Sequence, residues 1–99
     1  MRSSRRHILL VESHRDIRTA FVTLFEGIYG FAVRVAEGTA GALGFTSRQS
    51  IDVAVVDLDG GTELNARLAM IRAWRGDGLT FPVIATSPQD YDGLVVETL

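Results

Sequence analysis

Asp57, Glu12, Thr86 and Ser87 each stand just after a short apolar run, and that shared position is where this chain could do chemistry. The runs cover residues 8–11, 53–56 and 83–85. A carboxylate at such a place can act as a nucleophile and take a phosphoryl group as an aspartyl phosphate. Oxygen ligands with room for water also suit Mg²⁺, which is commonly held by one or two carboxylates together with phosphate oxygens. Glu12, Asp57 and the nearby Asp59 supply those oxygens. His14 reads as a solvated loop histidine, because imidazole suits Mg²⁺ badly. The bland reading of Asp57 is an exposed carboxylate that merely ends a strand.

Glu12 and Asp57 are far apart in sequence, so the fold must bring them together. The three runs are rich in β-branched residues and bounded by polar or turn residues, as expected of strands buried on both faces. A fourth run, residues 32–35, places Arg34 between valines and reads as an edge strand. Between the strands lie segments of helical period. Ile17, Phe21, Leu24, Phe25 and Ile28 form one apolar stripe, with Gly27 and Gly30 as the stop. Thr39 is the expected N-cap of a short helix rich in small residues that runs to about Ser47. Leu64, Leu68 and Ile71 predict a third helix ending near Gly76 and Gly78, with Met70 and Trp74 as packing residues. Phe81-Pro82 then forces extended geometry into the next strand. The last segment, residues 91–99, is expected to be helical.

Alternating strands and helices imply right-handed crossovers and a parallel sheet covered on both faces, an α/β doubly wound arrangement. In such sheets functional residues gather at the carboxyl ends of the strands. Adjacent parallel strands would therefore carry Glu12 and Asp57 to within a side chain's reach of each other.

Composition excludes several classes. The chain has 99 residues, enough for one domain over residues 1–99, and is 46% hydrophobic and 22% charged, as in soluble globular proteins. A formal charge of −2 and a pI near 5.6 give no footprint for direct nucleic-acid binding. Arg2, Arg5 and Arg6 cluster at the N-terminus, where a short basic lead-in reads as a solvated end. No apolar run is long enough to cross a membrane or serve as a secretion signal. The absence of cysteine rules out disulfides and thiolate zinc sites and suits a reducing cytoplasm. All ten cationic side chains are arginine. The first strand-to-helix turn, Glu12-Ser13-His14-Arg15, has none of the glycines of a phosphate-cradling loop, which argues against a nucleotide binder.

Four segments carry a resemblance to a known family. Ile8-Leu9-Leu10-Val11-Glu12-Ser13-His14-Arg15-Asp16-Ile17-Arg18 resembles the opening of a bacterial response-regulator receiver domain, in which the first strand ends in two acidic residues. Val35-Ala36-Glu37-Gly38 is similar to that family's second strand and turn. Ile51-Asp52-Val53-Ala54-Val55-Val56-Asp57-Leu58 resembles its third strand, which ends in the phosphorylated aspartate. Pro82-Val83-Ile84-Ala85-Thr86-Ser87 resembles its fourth, which ends in the switch Ser/Thr, and the register from Pro82 favours Ser87 over Thr86. The resemblance implies a flavodoxin-like receiver fold with strand order 2-1-3-4. It implies that Asp57 accepts phosphate in a phosphorelay from a histidine kinase or phosphotransfer protein. Glu12, Asp57 and the backbone carbonyl of Asp59 would bind Mg²⁺, and Ser87 would contact the phosphoryl group. Such a domain is a cytoplasmic phosphoprotein of a two-component system rather than an enzyme.

The sequence also departs from that family. Ser13 stands where a second acidic residue is usual, and no proline follows Asp57 in Leu58-Asp59-Gly60-Gly61-Thr62. The family's fifth strand begins with a lysine and is followed by a fifth helix. Strand and helix are expected to be absent here, leaving the domain incomplete at its C-terminus, with the fourth strand an open edge and the first helix's stripe uncovered. A homodimer or strand-exchanged oligomer would cover both. These departures leave a second reading: a pseudo-receiver that serves as a protein-interaction or dimerisation module without phosphorylation.

Overall fold

The computed structural model describes residues 5–58 and 64–86, together with the backbone of 94–97. Its strands are β1 (His7–Val11), β2 (Ala32–Ala36), β3 (Val53–Asp57), β4 (Val83–Thr86) and β5 (Leu94–Glu97). Helix α1 (Arg15–Val22) continues into a π-helical segment, Thr23–Ile28; α2 is Thr39–Thr46 and α3 is Leu64–Gly76. The first four strands are parallel and lie in the order 2-1-3-4. No helix among the described residues is long and apolar enough to cross a membrane.

Side chains alternate across a strand, so each strand feeds both faces of the sheet. Leu9, Val11, Val56 and Val83 point to one face and pack with Ala42 of α2 and with Met70, Ile71 and Trp74 of α3. Ile8, Leu10 and Val55 point to the other, where Phe21 and Phe25 cover them. This is the doubly wound arrangement that the apolar runs require. The edge position expected for residues 32–35 is also found, with Arg34 and Val35 exposed on β2.

Three local expectations are corrected. The first concerns the tail: Leu94–Glu97 is not helical but pairs antiparallel with β4, Ile84 against Val96 and Thr86 against Leu94. The fold therefore has a fifth strand, and the outer edge of β4 is paired rather than open. Val95 and Val96 are β-branched, a residue type favoured in strands, whereas a three-residue apolar run carries too little periodicity to separate strand from helix. The second concerns the stripe of the first helix. Phe21 and Phe25 face the sheet, while Leu24 and Ile28, on the π-helical turn where the angular step between residues is altered, are exposed, Ile28 at 69%. Gly30 ends the segment with φ +72°, a left-handed conformation open to glycine at no steric cost. Third, Gly38 is the N-cap of α2 and Thr39 its first helical residue.

Candidate functional site

The site lies where β1 and β3 end side by side. Val11 is opposite Val56 in the ladder, so the next residues on the two strands, Glu12 and Asp57, fall in one row. The backbone keeps Glu12 in the sheet by donating from its N–H to Ala36 O at 3.1 Å. Both acids are buried, Glu12 2% and Asp57 3% exposed. Burying charge without compensation is costly, so two neighbouring buried carboxylates favour a cation between them.

The β1–α1 turn shapes the rest. The carboxylate of Glu12 folds forward, and its Oε2 accepts the backbone N–H of His14 at 3.1 Å. The same oxygen lies 3.0 Å from His14 Nδ1, and that nitrogen lies 4.0 Å from Asp57 Oδ2. Arg18 Nη1 donates to the carbonyls of Glu12 and Ser13, each at 3.1 Å, tying the first turn of α1 to the loop. Ser13 Oγ donates to Asp57 Oδ2 at 3.4 Å. One ligand atom from each of Glu12, His14 and Asp57 falls within 4.8 Å of the other two. Carboxylate oxygens and an imidazole nitrogen converging in this way are a donor set that fits a divalent cation.

Glu12 and Asp57 are thus brought together as their places after the apolar runs require. Asp59 and Ser87 lie outside the described residues. Thr86, given second place to Ser87 in the sequence, is the register partner of Asp57 and so shares the row of the two carboxylates. His14, read as a solvated loop residue, is half-exposed but bonded into the acidic pair.

Arg67 was not singled out by its sequence. It is 1% exposed on the sheet-facing side of α3, and its Nε donates to the backbone carbonyl of Asp57 at 3.1 Å. The signal was present in the helical spacing of 67, 71 and 74, which puts Arg67 on the face of Ile71 and Trp74. Its charge concealed it, because a guanidinium on an apolar stripe is ordinarily assigned to the solvent side.

No protein-family model matches the chain, and no curated protein does. Solved structures do match. The receiver domain of the Francisella response regulator 1452 superposes with a TM-score of 0.74 at 22% identity, over 89% of this chain and 70% of that one. The MaeR response regulator bound to beryllium trifluoride gives 0.72 at 21% identity, over 87% and 70%. A response regulator receiver protein from Pseudomonas putida gives 0.65 at 24% identity, over 86% and 69%. A buried acidic pair at the ends of β1 and β3, on a sheet ordered 2-1-3-4, is set in a chain whose fold is that of response-regulator receiver domains.

Proposed function

We propose that this chain is a signalling receiver in which Asp57 accepts a phosphoryl group from a phosphohistidine of a histidine kinase or phosphotransfer protein. The observation that carries this reading is the burial of Glu12 and Asp57 side by side at the strand ends. One carboxylate oxygen of Asp57 attacks phosphorus; the O–P bond forms as the P–N bond breaks, and the departing imidazole takes a proton from solvent. Glu12 and Asp57 would hold a divalent cation, Mg²⁺ in the expected case, which offsets the charge of the transferred group and keeps acceptor and donor in line. Arg67 fixes the acceptor's peptide group through its carbonyl. Asp59 and Ser87 keep the roles that the resemblance gives them. The protein is the acceptor of the group rather than an enzyme, and it works in the cytoplasm. That a response regulator of the same fold takes up beryllium trifluoride supports phosphoryl chemistry on this architecture.

A second reading has its own support. Ser13 replaces a carboxylate beside the pair, and the chain contains no lysine to balance a bound phosphoryl group. On that reading the domain is an interaction module, with Leu24, Ile28 and Tyr29 as an exposed apolar face suited to self-association. Incubation of the folded chain with Mg²⁺ and acetyl phosphate, followed by intact mass, separates the two. Addition of one phosphoryl group, abolished in Asp57→Asn, is the result expected of the receiver. A folded protein that gains no mass is the result expected of the module.

A further inference from the structure

The three ligand atoms at the strand ends are not a set of hard oxygens alone. We infer that His14 is a metal ligand and that the site takes a borderline first-row cation of the Zn²⁺ and Co²⁺ class in preference to Mg²⁺. This rests on reading Glu12 and Asp57 as cation-holding residues, and it adds what the third donor does to the choice of cation.

Two donors to one ion, each about 2.1 Å away, lie at most about 4.2 Å apart. His14 Nδ1 meets that limit with both partners, at 3.0 Å from Glu12 Oε2 and 4.0 Å from Asp57 Oδ2. With all three atoms within 4.8 Å of one another, rotation of the half-exposed imidazole and of the carboxylates completes a common centre. The contact between His14 and Glu12 already holds the ring against the carboxylate, and an ion there takes the place of the shared proton. The backbone N–H of His14 on Glu12 Oε2 orients the carboxylate from behind. Outer contacts of that kind raise the affinity of a metal centre.

The donor types then decide the ion. Mg²⁺ prefers oxygen and keeps its waters, whereas imidazole nitrogen suits Zn²⁺ and its neighbours. Ser13 strengthens the preference, since a hydroxyl at that place brings no third negative oxygen for a hard cation. The other soft donors are few. The chain has no cysteine and a single further histidine, His7, which begins β1 at the opposite end of the strand from the site.

Calorimetric titration of the full chain with ZnCl₂, CoCl₂ and MgCl₂ at one pH tests this, with the visible absorption of bound Co²⁺ as a second readout. Zn²⁺ and Co²⁺ are expected to bind at least about tenfold more tightly than Mg²⁺. His14→Gln should lower Zn²⁺ affinity by at least about tenfold, the smaller end of what losing even an outer partner of a metal costs. Mg²⁺ binding should stay within about twofold in that variant, and His7→Gln should leave all three metals unchanged. His14→Asn, checked by circular dichroism, repeats the test with a shorter side chain. Equal affinity for Mg²⁺ and Zn²⁺, a Zn²⁺ preference that survives His14→Gln, or one lost in His7→Gln would each overturn the inference. Phosphoryl addition with Mg²⁺ but no Zn²⁺ preference removes this inference and leaves the proposed function. Zn²⁺ held through His14 without phosphoryl addition does the reverse.

Discussion

The two faces of the sheet are covered very differently. On one, α3 buries Arg67, Met70, Ile71 and Trp74, and Trp74 is locked by three kinds of contact. Its ring meets Phe81 edge-on at 5.1 Å, its Nε1 donates to Thr46 Oγ1 of α2 at 3.0 Å, and its surface is wholly buried. On the other, α1 and the π-helical segment bury no residue completely and rely on Phe21 and Phe25, stacked at 5.4 Å, to cover Ile8, Leu10 and Val55. Amphipathic pattern alone would have ranked them the other way, since the stripe on residues 17–28 is the clearer of the two. Pattern reports which face is apolar; burial depends on what lies on both sides of that face. The buried residues of α3 pack against the sheet and beside α2, whereas the outward half of the α1 stripe has only solvent beside it among the described residues.

That contrast can be tested, beginning where the effect is largest. Trp74→Ala leaves a cavity and removes the bond to Thr46, so it should cost about 3–5 kcal/mol, read as a large fall in the urea midpoint. Phe25→Ala removes a ring that is only partly buried and should cost roughly half as much. Equal losses from the two substitutions would mean that the faces contribute alike and would break the comparison. Ile28→Ser, at a position facing solvent, should move stability by no more than about 0.5 kcal/mol. Sedimentation of the same variant sharpens the point. A weaker tendency to associate at unchanged stability shows that the exposed residues of this face serve contacts between molecules rather than the fold.

Much of this was legible in the residues. The β-branched runs located four strands, because each run is too short for a helix, and the helical periods between successive runs account for their parallel order. The positions after those runs located Glu12 and Asp57, since strand direction alone determines which end they occupy. Other features depend on tertiary choices that local pattern does not carry. The pairing of Leu94–Glu97 with β4 is one, as nothing in a short valine-rich run states its direction or partner. The π-helical turn is another: it widens a segment whose residue types are equally compatible with an ordinary helix. Arg67 and His14 were obscured for a chemical reason. Both carry polar groups that usually face water, and only the placement of Asp57 gives the guanidinium a buried carbonyl and the imidazole a second carboxylate.

The antiparallel strand has one more consequence. Leu94–Glu97 meets the sheet along a single ladder, whereas β1, β3 and β4 are each gripped from both sides. Like β2 at the opposite margin, it can leave without breaking a ladder between the remaining described strands, and its removal leaves the four parallel ones paired as before. Peeling it away would strip ladder partners from the outer margin of β4 alone, while the row that carries Glu12 and Asp57 would keep its own on both sides.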